Sequence, residues 1–340
     1  MKEINYLKEN GTLGLIAPSF GCTTEPYKTR LEVAINNLKN DGYSIVEGPN
    51  IYLAKNKARS NSAYLCAKEF MDMYLSSPAD AIISVGGGEI MCEILPYINF
   101  KKISKAPHKF FMGFSDNTNL TYTLATIAEV PTIYGPCAPS FAFKPYQYST
   151  LDALNLLTNK TKNIEGYPYW ERYRSVVKEE NPLTPSNFTE KKELRLYPKK
   201  DSLILEGRLI GGCLDCLQVL CGTKYDKTVE YCEKYKEDGI IFFIEACDLS
   251  PIAIKRALFQ LKEANWFKYV KGFIIGRPLC YKQRYFGINH YQAFREGLKE
   301  LNVPLIMDAD LGHFDPSMPL ITGVKAKVEV KNNNIFIDYI

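Results

Sequence analysis

The sequence predicts an α/β protein whose first part is a parallel sheet covered by helices on both faces. Three observations carry that expectation. Short apolar runs alternate with helically spaced apolar residues from about residue 12 to residue 135. Most of these runs stop at glycine, proline or a small polar residue, and the alternation resumes beyond residue 203 after a long irregular stretch. With 340 residues, 46% of them hydrophobic, the chain has material for two domains rather than one.

The elements follow in order. Residues 12–17 (TLGLIA) read as a buried strand stopped by Pro18. Leu31, Val33, Ala34 and Leu38 give residues 26–40 a helical spacing, and Gly42 supplies the stop. SIVEG is the next strand, residues 61–76 the next helix, and ADAIISV a strand that runs into Gly86-Gly87-Gly88. A helix is expected from near Glu89, then the strand FFMGF, a helix over 117–128 and the short strand TIYG. Periodicity lapses from about 145 to 200, where Tyr, Lys, Glu, Asn and Pro dominate, so this stretch reads as a long connection. The expected divisions are therefore 1–145, 146–202 and 203–340. The third part holds SLILEGRLIG, a helix near 213–221, GIIFFIEA, a helix over 251–265, GFIIGRP, a helix over 289–299 and PLIMD. It closes on a β-hairpin, GVKAKVEVKNNNIFIDYI, folded about its asparagines.

Charge and composition exclude several classes of function. The net charge of +4 is small, both signs are interspersed, and no block of like charges suggests a nucleic-acid tail. No window approaches the roughly 18 apolar residues of a membrane span. The stretch MKEINYLKENGTLGLIAPSF lacks the features of an export signal, so the ten cysteines are expected to be reduced thiols and the protein cytoplasmic. Cys213, Cys216 and Cys221 cluster in GGCLDCLQVLCG, but a zinc site needs four ligands and no second pair lies near. Core packing and a CxxC redox pair both remain open for them.

Ser115 is the first candidate for chemistry. It stands where the run FFMGF meets the helix over 117–128, at the ligand-binding edge of a parallel sheet, beside free helix amides. Ser115 and Asp116 could serve there as helix caps, or Ser115 as a nucleophile in a corner like G-x-S-x-G with Asn117 in place of the second glycine. A nucleophilic serine needs a base. His108 and His290 read as solvated, whereas His313 lies in the Gly- and Pro-punctuated loop DADLGHFDPSMPL, as a structural residue or as that base. Glu245 closes the run IIFFI, where a carboxylate is costly unless paired. It is either an exposed strand-end acid, an ion-pair partner, or the group that orients a histidine. Gly86-Gly87-Gly88 lacks both G-x-G-x-x-G and G-K-[ST], so it fits an oxyanion donor better than a nucleotide phosphate site.

The stretches LGLIAPS, IISVGGGE, FMGFSDNTNL, YGP, GRLIGG, FFIEACD, GRP and DLGHFDPSMPLITG resemble, in this order, the LD-carboxypeptidases and microcin C immunity proteins. That family consists of serine peptidases with a Ser–Glu–His triad. The resemblance runs from about residue 12 to 325. It implies a Rossmann-like parallel-sheet N-terminal domain bearing Ser115 as nucleophile. It also implies a smaller, β-rich α/β C-terminal domain bearing Glu245 and the general base His313. The oxyanion hole would be the amide of Asp116 with that of Gly87 or Gly88. The implied reaction is amide hydrolysis without metal or cofactor, often in a homodimer.

The implied partner is a small peptide, such as a murein tetrapeptide losing its terminal D-alanine, or an aminoacyl- or peptidyl-nucleotide. The long connection resembles the longer loop of the immunity branch, whose aromatics can stack on a base. Tyr167 and Trp170, with Tyr169 and Tyr173 beside them, are the candidates, or else they pack the connection. Two residues depart from the family pattern: Phe114 stands where tyrosine is common, and Cys213 where asparagine is usual. Cys213 is thereby a further substrate-side candidate. The competing class is a non-catalytic peptide- or nucleotide-binding protein using the same cleft. A dinucleotide-dependent oxidoreductase has only the glycine loop in its favour.

Overall fold

The computed structural model of the protein describes residues 2–55, 58–173 and 179–340. Two large sheets organise them. The first has six strands in the order Leu320–Thr322, Thr132–Tyr134, Phe110–Gly113, Ala81–Ser84, Thr12–Ile16, Ser44–Glu47. All are parallel to their neighbours except Leu320–Thr322, which pairs antiparallel to Thr132–Tyr134. A segment from near the carboxyl end therefore completes the sheet begun by the amino-terminal part. Three residues are too few to carry a period, which is why this strand escapes a reading of the sequence.

The second sheet has eight strands. Its centre is the parallel set Leu203–Cys213, Ile240–Glu245, Val270–Gly276 and Leu305–Ala309. Antiparallel strands flank it: Lys325–Lys331, Asn334–Tyr339 and Asn163–Glu165 on one side, and Arg195–Tyr197 on the other. The expected terminal hairpin is thus present, around a turn at Asn332 and Asn333.

Alternation along the strands sorts the core onto two faces. Leu13, Leu15, Ile83 and Met112 of the first sheet share one apolar cluster with Ile241 and Phe243 of the second. Ile82 and Phe111 share the other with Phe242 and Ile244. Each cluster spans both sheets, so burial of these runs fixes how the sheets sit together.

The structure differs from the sequence reading at several elements. A 3-10 helix, Met91–Tyr97, stands where a helix from Glu89 was expected, and it contains Pro96, which cannot donate an amide. The connection between the parts is less irregular than its composition suggests. It contains the helix Tyr148–Leu157, with Ala153, Leu154, Leu156 and Leu157 buried, and several two- or three-residue strands. A further short helix, Thr228–Lys234, lies before Ile240–Glu245. Both helices begin without a side-chain cap, which removes the sequence signal for their starts.

Candidate active site

The site forms where the carboxyl ends of strands from both sheets converge. Phe110–Gly113 delivers Ser115, Ile240–Glu245 ends on Glu245, and Leu305–Ala309 leads into the loop of His313. Strand Leu203–Cys213 abuts the helix that follows Ser115, and the Cys213 amide donates to Thr118 Oγ1 at 2.9 Å.

Ser115 has φ of +62°, a left-handed conformation that costs a non-glycine residue on the order of 1 kcal/mol. Its neighbours hold it there. The Ser115 amide donates to Tyr134 Oη at 3.0 Å, and Asn117 Nδ2 donates to the carbonyls of Phe114 and Gly86, both at 2.9 Å. The glycine loop comes close above: a Cβ on Gly87 would lie 3.2 Å from Ser115 Cβ and 3.4 Å from its Oγ. Gly88 lines the same cavity.

Ser115 Oγ lies 2.9 Å from His313 Nε2, and His313 Nδ1 lies 2.8 Å from Glu245 Oε2. Glu245 is fully buried, and its other oxygen, Oε1, accepts from Tyr134 Oη at 2.6 Å. One phenol therefore touches both the Ser115 backbone and the Glu245 carboxylate. Burial first, then Glu245, pushes the Tyr134 phenol far above its ordinary value, so it keeps its proton and donates it to Glu245. Burial alone would raise Glu245 and lower His313. Their mutual attraction outweighs this, leaving Glu245 below its ordinary value and His313 above its own. Gly312 lets the loop approach so closely: its φ is +110°, and a Cβ there would stand 2.8 Å from Glu245 Oε2.

Asp116, beside Ser115, turns its carboxylate inward. It accepts from Ser19 Oγ at 2.6 Å, from the Met91 amide at 2.9 Å and from Asn119 Nδ2 at 3.0 Å. Burial still lifts it above the ordinary carboxylate range. It fastens the segments on either side of the glycine loop to the serine corner. A cavity of about 240 Å³ opens at Ser115, with Phe20, Cys92, Asn119, Cys213 and His313 in its wall.

Phe114, the first departure from the family pattern, packs its ring 5.3 Å from the His313 ring. Cys213, the second, lies in the cavity wall with its Sγ 3.4 Å from Asp215 Oδ2. It ends a strand rather than sitting in a helix with Cys216, and both thiols are free. Burial pushes the Cys213 thiol well up, so it stays protonated.

Tyr167 and Trp170 are not in the wall of this cavity. Tyr167 is buried, with its hydroxyl donating to Asp152 Oδ2 at 2.7 Å. Trp170 is wedged against Tyr281 and Phe314 with the Arg277 guanidinium 4.5 Å over its ring. It braces the residue after His313, whereas Tyr169 and Tyr173 are exposed. His108 and His290 are buried rather than solvated. His108 Nε2 is 3.0 Å from the Pro131 carbonyl, and burial pushes both imidazoles down to about 4.

Sequence reasoning missed Tyr134, Asn119 and the inward role of the Asp116 side chain. Tyr134 carried a signal, since it ends a strand in TIYG one residue before a glycine.

Fold and cluster together define a class: α/β proteins that present a serine, an imidazole and a carboxylate at the carboxyl ends of parallel strands. Within that class the chain belongs to the LD-carboxypeptidase family, whose N-terminal domain matches residues 13–135 and whose C-terminal domain matches residues 206–328. The microcin C7 self-immunity protein MccF of Escherichia coli is 26% identical over 331 residues, covering 96% of this chain and 92% of MccF. The protein YocD of Bacillus subtilis is 26% identical over 354 residues, covering 98% of each. An MccF-like protein from Bacillus anthracis has the same fold, with a TM-score of 0.83 at 22% identity and 99% of both chains covered. MccF itself has been solved with glutamyl sulfamoyl guanosine, at a TM-score of 0.80 and 24% identity over 98% of this chain and 97% of that one. It has also been solved with aspartyl sulfamoyl adenosine.

Proposed function

We propose that this protein is a serine-type amide hydrolase in which Ser115, His313 and Glu245 form the catalytic triad. The observation that carries the reading is the unbroken relay Ser115 Oγ–His313 Nε2–Glu245, at 2.9 and 2.8 Å, on a serine held at φ of +62°. His313 takes the Ser115 proton as Oγ attacks the amide carbonyl. Glu245 fixes the imidazole tautomer and stabilises the imidazolium. The developing oxyanion is held by the amide of Asp116 with that of Gly87 or Gly88, a contribution worth about 10²–10³ in turnover per donor. His313 then protonates the departing amine, and water releases the acyl group by the same relay.

The substrate we favour is an amide joining an aminoacyl or short peptidyl group to a nucleotide-like moiety. The aminoacyl-sulfamoyl nucleosides bound by MccF support it. A murein tetrapeptide is the second candidate. The test is to incubate the protein separately with a murein tetrapeptide and with a panel of aminoacyl-sulfamoyl adenosines, then weigh the products by mass spectrometry. Hydrolysis of either by the wild-type chain and of neither by Ser115→Ala is expected. Equal turnover by both proteins would eliminate the assignment.

A further inference from the structure

Arg277 follows strand Val270–Gly276 in the stretch GRP and has no part in the Ser115–His313–Glu245 relay. It is buried, yet the wall of the Ser115 cavity does not include it. Burying a guanidinium is costly unless it is paired, so its partners show what it holds. Its Nη2 donates to Asp310 Oδ1 at 2.6 Å, and Asp310 is itself fully buried. The guanidinium also lies 4.5 Å from the centre of the Trp170 ring, and that ring packs edge-on against Phe314. Arg277 thus grips the chain three residues before His313 directly, and one residue after it through a single ring.

The loop between these two grips is closed on itself. Asp310 Oδ2 accepts the Tyr167 amide at 2.8 Å, and the Asp310 carbonyl accepts the Met318 amide at 2.7 Å. Inside the loop the Gly312 amide donates to Ser317 Oγ at 3.0 Å. Gly276, next to Arg277, packs directly beneath it: a Cβ there would collide with the Leu311 carbonyl. The end of strand Val270–Gly276 is therefore the seat of the loop, and Arg277 is the side chain that fastens it.

We infer that Arg277 is a positioning residue: through Asp310 and the Trp170–Phe314 contact it sets the His313 imidazole between Ser115 and Glu245. The inference rests on the proposal that His313 serves Ser115 as base. A displacement of about 1 Å, caused far from the chemistry, can cost on the order of 10² in rate. Because Arg277 lines no part of the cavity, its loss should lower kcat and leave KM nearly unchanged.

Imidazole NMR reads the placement of His313 without any substrate. Against the lowering effect of burial, Glu245 and Cys247 hold His313 above 6.5. His108 and His290 are pushed down to about 4 and stay clear of its titration. In Arg277→Met the His313 midpoint should fall toward 6.5 by about one pH unit as its contact with Glu245 loosens. Turnover should drop about 100-fold with KM within about twofold. Loss of a positive charge alone would push the midpoint up, so the sign separates displacement from electrostatics. Arg277→Lys keeps the charge opposite Asp310 without the planar fork against Trp170, and should shift the midpoint about half as far. It decides the matter if the methionine variant does not fold. Arg208→Met is the control for stability alone. Arg208 likewise pairs with a carboxylate, Asp238 at 2.7 Å, and lies over a ring, Tyr235, but on strand Leu203–Cys213. It should lower Tm and leave the midpoint and kcat in place. A midpoint that stays or rises in the Arg277 variants, or falls equally in Arg208→Met, overturns the inference. A fall confined to the Arg277 variants, in a chain that hydrolyses neither class of substrate, would support the positioning and remove the catalytic reading.

Discussion

Replacing Tyr134 with phenylalanine removes a single oxygen from the middle of the site. That oxygen donates to Glu245 Oε1 at 2.6 Å and accepts from the Ser115 amide at 3.0 Å. The ring keeps its volume, so no cavity opens, and the effect is confined to two hydrogen bonds. A bond to a fully buried carboxylate is worth about 1.5–3 kcal/mol, and one from a backbone amide about 1 kcal/mol. The loss should be about 2–4 kcal/mol, or about 3–6 °C in Tm for a chain of this length. A structural role alone would stop there. The phenol also withdraws charge from Glu245, so its removal should raise His313 further and move the rising, low-pH limb of kcat/KM to higher pH. With Ser115 less firmly held, turnover at neutral pH should fall by about tenfold. Calorimetric unfolding and a pH–rate profile measure these effects. An unchanged Tm with an unchanged limb would refute the reasoning.

Three further outcomes follow from the same geometry. Ser115→Gly should abolish hydrolysis yet raise stability by about 1 kcal/mol, because glycine adopts the +62° conformation without strain; a drop in Tm would contradict this. His313 must be neutral to act as a base and is held above its ordinary value of 6.5, so kcat/KM should climb with pH through a limb above 6.5. Glu245→Gln should lower that limb as well as turnover, and a limb that stays put would argue against the pairing. Finally, His108 and His290 are pushed down to about 4, so stability is full above pH 6.5 and is lost as pH falls from 6.5 to 4, where only the unfolded chain takes up the protons. The loss is up to about 3 kcal/mol for each histidine. Urea midpoints at pH 7 and pH 4.5 would detect it, and no change between them would count against it.

Much of the architecture is legible because long apolar runs are buried whatever their surroundings. TLGLIA, IIFFI and GFII become central strands for that reason, and Ser115, Glu245 and His313 stand out because each interrupts or follows such a run. What stayed hidden depends on partners distant in sequence. The Tyr134 hydroxyl takes its meaning from Glu245, 111 residues away, and Asp116 takes part of its meaning from Ser19, 97 residues away. The burial of His108 depends on Asn5 and Pro131, while its sequence neighbours Lys105 and Lys109 suggest the surface. Trp170 read as a stacking platform or as packing, and its neighbours Tyr281, Phe314 and Arg277 all lie more than a hundred residues along the chain. Strand Leu320–Thr322 joins the first sheet through pairing that no local pattern announces.

The central claim is that Ser115 is activated by His313, and covalent labelling tests it most directly. A fluorophosphonate probe should add one adduct, located at Ser115 by peptide mass mapping, and His313→Ala should slow the labelling by orders of magnitude. Labelling at the same rate in both proteins, or an adduct on another residue, would contradict it.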